Sequence, residues 1–140
     1  MNDAKYIGLD VHQATISVAV RDSAGKLVME AVLETKAEVI LQFLRGVGGS
    51  LHVTLEEGTW AGWLHALLLP HVTRVVVCDP RRNALLKAGN HNDRVDARKL
   101  AELLHLNELN PVYHGEHGQL ERLVKNFLAG SFLVMAFWFF

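Results

Sequence analysis

An α/β fold built on one mixed sheet is predicted by three features of the sequence. Residues 15–22 and 27–34 alternate polar and apolar side chains across a short turn, the mark of half-buried strands in a hairpin. Residues 74–78 (RVVVC) form an unbroken, largely β-branched run, the composition of a strand covered on both faces. Between and after these runs lie stretches with helical spacing of apolar residues, so strand–helix units follow a strand meander.

Taken in order, Lys5 to Asp10 reads as the first strand and Thr15 to Asp22 as the second. Residues 23–26 (SAGK) form a turn, and Leu27 to Glu34 alternates again as the third strand. Residues 35–38 (TKAE) fit a capping box that opens a helix with apolar positions Val39, Ile40, Phe43 and Leu44. Gly46, Gly48 and Gly49 stop it. Leu51 to Glu56 is the fourth strand, and Gly58 and Thr59 lead into a helix from Trp60 to Leu69 that Pro70 ends. Arg74 to Cys78 is the fifth strand, broken by Asp79 and Pro80. A short helix around Asn83 to Lys87 follows, then a break at Gly89 and Asn90, then a longer helix from Asp93 to Leu106; Pro111 closes the pattern.

The order β-β-β-α-β-α-β-α implies a five-stranded mixed sheet, its first three strands antiparallel, with helices on both faces. This is the element order of the ribonuclease-H-like (RuvC-like) fold. In that arrangement the first and fourth strands lie side by side, and the carboxylates at their ends, Asp10 and Glu56, become neighbours.

Composition narrows the class without naming a function. At 140 residues the chain is about one domain; half of it is hydrophobic and 21% is charged, which excludes a disordered chain. The formal net charge of −1 excludes a uniformly basic nucleic-acid binder. Basic residues are nevertheless concentrated: seven of the 14 Lys and Arg lie between Arg74 and Lys99, including Arg81, Arg82, Arg94 and Arg98. A basic surround suits a site that draws in a polyanion, although a solvated helix face has the same composition. The single cysteine, Cys78, precludes an intramolecular disulfide, and with no signal peptide at the N-terminus a cytoplasmic location is expected. Residues 127–140 are almost wholly apolar but too short to span a bilayer, so no membrane partner is expected.

Four acidic residues carry the chemistry. Asp10 and Glu56 end strand-like runs, whereas Asp93 and Asp96 stand three apart at the start of a helix-like stretch, where both would face one side. Converging carboxylates are hard oxygen ligands suited to Mg²⁺ or Mn²⁺. Each position alone has an ordinary alternative: a strand-end turn for Asp10, a helix cap for Asp93. His114 and His117 have metal-like spacing, but no third ligand stands in register, and a loop pair is the plainer reading. Trp60 and Trp63, three apart on a helix, read as core or interface before they read as a base-stacking platform.

Four segments together resemble a known family: YIGLDVH (6–12), LEEGTW (55–60), VCDPRRN (77–83) and NDRVDARKLA (92–101). They are similar to the DEDD-type insertion-sequence transposases, the group that includes the Piv and MooV recombinases, over roughly residues 4 to 118. The resemblance implies a Mg²⁺- or Mn²⁺-dependent transposase or site-specific recombinase whose acidic quartet falls on Asp10, Glu56, Asp93 and Asp96. Glu56 takes its place because it ends the strand before a small-residue turn; the adjacent Glu57 is the alternative. The resemblance further implies DNA partners (element ends and target), an element-encoded guide RNA, a homo-oligomer and nucleoid association; Arg81, Arg82, Arg94 and Arg98 could bind phosphates of either nucleic acid, with a solvated face as the equal alternative.

The resemblance fades after Gly118. Residues 1–118 are expected to form the RuvC-like domain, and 119–140 an atypical hydrophobic tail in place of the family's C-terminal serine domain. A truncated or frame-shifted copy, or an artificial boundary, accounts for that change, and this chain alone is not expected to complete transposition. Two other functions compete. A catalytically silent fragment could bind nucleic acid or dimerise. An actin-like or sugar-kinase-type ATPase shares the fold core, but it needs a second domain and glycine-rich nucleotide loops that this chain lacks.

Overall fold

The computed structural model describes residues 3–79, 96–107 and 109, together with the backbone of 111–116. Six strands form one sheet: β1 (Ala4–Val11), β2 (Thr15–Arg21), β3 (Leu27–Glu34), β4 (Ser50–Glu56), β5 (Arg74–Cys78) and β6 (Pro111–Glu116), in the spatial order β3-β2-β1-β4-β5-β6. Among the described residues, three α-helices accompany them: α1 (Ala37–Val47), α2 (Ala61–Leu68) and α3 (Ala97–His105). The β1–β2 and β2–β3 pairs are antiparallel, whereas β1–β4 and β4–β5 are parallel. The meander and the central placement of β1 therefore agree with the strand pattern of the sequence.

Strand alternation divides the core between two faces. Ile7, Leu9, Ile16, Val18, Val53, Leu55, Val75 and Val77 point to one side, where Ile40 and Leu44 of α1 and Leu64 and Leu68 of α2 complete the larger cluster. On the opposite face Ala19 packs with Ala97 and Ala101, and Cys78 with Leu100 and Leu103, so α3 alone covers the described part of that side. Each buried Leu or Ile contributes about 1.5–3 kcal/mol relative to exposure, which makes the larger cluster the main source of stability.

Gly8 lets α3 lie close to the sheet. An added Cβ there would collide with the Ala97 carbonyl oxygen and stand 2.7 Å from the Ala101 amide nitrogen and 2.9 Å from Leu100 Cβ. Arg21 ties down the same end of the helix: its Nε and Nη2 donate to the Arg98 carbonyl at 3.3 and 3.2 Å. The turn before β3 forms as its composition predicts, with Asp22 Oδ1 accepting from the amides of Ala24 and Lys26, both at 3.0 Å, and Gly25 at φ 88°.

Several elements differ from the sequence expectation. The sheet has six strands rather than five, because residues 111–116 pair antiparallel with β5 instead of closing the pattern as a loop. Val112 and Tyr113 favour extended backbone, and Pro111 is tolerated as the first residue of an edge strand, where a missing N–H costs little. This places His114 in a strand rather than a loop; His117 lies outside the described residues. Residues 35–38 do not form a capping box. Lys36 is the N-cap and makes no side-chain cap bond, while Thr35 Oγ1 donates to the His12 carbonyl at 3.3 Å. The second helix starts at Ala61 rather than Trp60, and Pro70 lies within a 3₁₀ turn (Leu69–His71) that extends it. The expected helix at Asn83 to Lys87 and the hydrophobic tail at 119–140 lie outside the described residues.

Gly46 lies inside α1 with open space around the position of a Cβ. Gly46→Ala is expected to stabilise the domain by about 0.5–1 kcal/mol, because alanine loses less backbone freedom on folding. Thermal denaturation should show a rise of a few degrees; an unchanged or lowered midpoint would mean that helix propensity does not limit α1.

Candidate functional site

The carboxyl ends of β1 and β4 create the site. Leu9 and Leu55 are paired in register across these parallel strands, so the next residues, Asp10 and Glu56, continue side by side. Alternation turns both toward the face covered by α3, together with Gly8 and Thr54. Both are half-buried and line one cleft of about 690 Å³, with His12, Gln13, Thr59 and Trp60 around them. Glu57, the sequence alternative to Glu56, is exposed and gives its backbone N–H to the Cys78 carbonyl at 2.8 Å. It leaves the strand register one residue after Glu56, and strand geometry therefore makes Glu56 the neighbour of Asp10.

His12 is a site residue that the sequence reading missed. Its Nε2 lies 3.2 Å from Asp10 Oδ2, and the Asp10 side chain is only 16% exposed against 44% for His12. The signal was available: residues 10 and 12 stand two apart at a strand end, a spacing that puts both side chains on one face. The bond orients the Asp10 carboxylate and leaves its geometry less free than that of a solvated aspartate.

Asp96 reaches the site from α3. It is the N-cap, with extended backbone (φ −70°, ψ 167°), and its Oδ1 accepts from the Lys99 amide at 3.0 Å. Asp10 and Asp96 line a second groove, which Ser17, Ala19, Glu30 and Arg98 also border. Asp10 thus stands between Glu56 in one cleft and Asp96 in the next. Asp96 caps the helix rather than lying within it, and the expected shared face with Asp93 involves a residue outside the described ones. Asp93 lies outside the described residues, as do Arg81, Arg82 and Arg94.

Arg98 is described, and it differs from a free phosphate ligand. Its Nε is 3.0 Å from Glu30 Oε1, with both side chains largely in solvent. Such an exposed pair is worth little and yields readily to a competing anion. Among the described residues, no three Asp, Glu, His or Cys side chains are grouped as a complete metal-binding set. Also among them, no helix is long and apolar enough to cross a membrane.

Trp60 and Trp63 depart from the core reading. They are 37% and 41% exposed, and Trp60 stands in the wall of the acidic cleft.

No family model matches this chain, and no curated protein does so.

Replacement of Asp96 separates its cap role from any ligand role. Asp96→Ala is expected to cost about 1 kcal/mol, because it leaves the Lys99 amide uncapped, whereas Asp96→Asn keeps an N-cap of equal quality. Urea denaturation of the two variants should differ by that amount. Equal stabilities would show that the bond to Lys99 does not support α3.

Proposed function

We propose that this domain is the ribonuclease-H-like catalytic unit of a DEDD-type transposase, cutting and joining DNA strands with divalent metal ions. The observation that carries this reading is the placement of Asp10 beside Glu56 at the carboxyl ends of two parallel strands, with the Asp96 end of α3 sharing a groove with Asp10. The strand order β3-β2-β1-β4-β5, with β2 antiparallel to its neighbours, supports the fold assignment. The four resembling segments support the family.

The donor types suit Mg²⁺ or Mn²⁺, and completing the set requires Asp93 or the metal itself to draw the carboxylates together. Asp10 and Glu56 offer hard carboxylate oxygens from adjacent rigid strands, and Asp96 uses one oxygen as a cap and keeps the second. Asp10, Glu56 and Asp96 would hold a divalent ion there, which would supply charge stabilisation for an in-line phosphodiester displacement. The chain's own residues prepare that chemistry. Asp10 occupies the middle of the set, His12 holds its orientation, and Glu56 and Asp96 flank it. Asp93 completes the quartet that the resemblance implies. Arg98 trades its bond with Glu30 for a backbone phosphate, and Arg81, Arg82 and Arg94 belong to the same basic segment. Element-end and target DNA, a guide RNA, homo-oligomerisation and location at the nucleoid belong to this proposal.

Calorimetric titration with Mn²⁺ tests it. Saturable heat in the parent chain, lost in Glu56→Gln and Asp10→Asn, is the expected result. Binding that survives both substitutions would place any metal elsewhere and remove the basis for strand cutting here.

A further inference from the structure

Trp60 is held in place at the acidic cleft while much of its ring stays in water. It is the residue immediately before α2, and Trp63 follows one turn later. The two indoles meet edge to face, with centroids 6.1 Å apart and planes at 70°, so Trp63 braces Trp60 in one orientation. Two partly exposed indoles give up burial that large aromatic side chains normally supply to a core. Trp60 shares its cleft with Asp10 and Glu56, and at about 690 Å³ that open cleft has room for a small-molecule-sized group such as a base.

A phosphodiester backbone has no use for an indole face, but a nucleobase does. Stacking of a base on an aromatic side chain is sequence-tolerant, because every base has a π-face. Bases inside a duplex are already stacked on one another, so only an unpaired base can offer a face to Trp60. His12, Gln13 and Thr59 supply polar groups around the same cleft that can meet a base edge.

We infer that Trp60 is a stacking platform for an unpaired nucleobase adjoining the phosphate at Asp10 and Glu56. This rests on reading the acidic cleft as a nucleic-acid site. It adds that the strand entering the site is locally single-stranded at that position. Trp60 is a positioning residue here, and Trp63 sets its angle.

The test uses the full chain with Ca²⁺ present and measures fluorescence anisotropy of labelled oligo-dT, oligo-rU and a duplex, each of about 12 nucleotides per strand. Trp60→Leu keeps an apolar side chain but removes the π-face, and Trp60→Phe keeps a smaller one. The expected result is single-strand binding weakened about fivefold or more in Trp60→Leu, largely retained in Trp60→Phe, with duplex binding little changed in either. The larger effect, on oligo-dT or on oligo-rU, identifies DNA or RNA as the source of the base. Single-strand binding equal to the parent's in a folded Trp60→Leu overturns the inference while leaving the cleft's wider role intact. A parent chain that binds neither single strands nor duplex overturns the nucleic-acid reading, and this inference with it. Loss of duplex and single-strand binding to the same extent assigns Trp60 to general architecture and likewise overturns the platform.

Discussion

Gly8→Ala should damage this domain severely. The added Cβ meets the Ala97 carbonyl oxygen, the Ala101 amide nitrogen at 2.7 Å and Leu100 Cβ at 2.9 Å. Two of these three neighbours are backbone atoms, which cannot step aside as a flexible side chain would. Relief requires α3 to move as a body, against the Ala19–Ala97–Ala101 contact and the Arg21 bonds to the Arg98 carbonyl. Overpacking a close-packed core typically costs about 1–3 kcal/mol, and the backbone collisions place this case at or beyond the upper end. Chemical denaturation should therefore show a loss of about 3 kcal/mol or more. Displacing α3 also carries Asp96 away from Asp10, so under the proposed metal-dependent function Mn²⁺ affinity should fall even where the variant remains folded. A Gly8→Ala protein with parental stability and metal affinity would mean that α3 does not sit against β1 as described.

Asp10→Asn should separate the proposed metal binding from folding. Asparagine has the shape of aspartate and can still bond His12 across the 3.2 Å contact, so the local packing is kept. What disappears is the negative charge at the centre of the acidic set. Metal affinity should drop by more than about 100-fold, beyond the usual cost of losing a supporting partner of a metal ligand. In the metal-free protein, the same change removes repulsion with Glu56. The melting temperature should hold or rise slightly, by a free energy of about 0.5 kcal/mol, since like-charge effects at partly exposed sites are small. The informative pattern is lost affinity combined with retained stability. Lost stability would make Asp10 a structural residue, and retained affinity would remove it from the ligand set.

Local pattern made most of the sheet legible. Period-two alternation in 15–22 and 27–34 located the hairpin to within a residue, although burial does not follow it: the middle of β2 is buried on both faces and β3 has no buried residue. The β-branched run at 74–78 coincided with β5. Features that depend on a distant partner were not readable in this way. Thr35 carries the capping signal of a helix start, yet its hydroxyl donates to the distant carbonyl of His12 and the helix takes Lys36 as its N-cap. Residues 111–116 have weak strand character alone and become a strand by pairing with the exposed edge of β5. Trp60 and Trp63 have core-like spacing, and only the way α2 lies against the sheet leaves them facing outward.

The chain's own order of residues decided that Asp10 and Glu56 would stand at the carboxyl ends of two strands, where each hydrophobic run gives way to polar residues. Folding decided that those two ends would meet. Parallel pairing of β1 with β4 brings together residues 46 positions apart in the chain, and the absent side chain of Gly8 admits the helix that carries Asp96. Periodicity is a property of neighbours along the chain and is written locally. Convergence is a property of crossover connections and helix packing, and exists only once the sheet has formed.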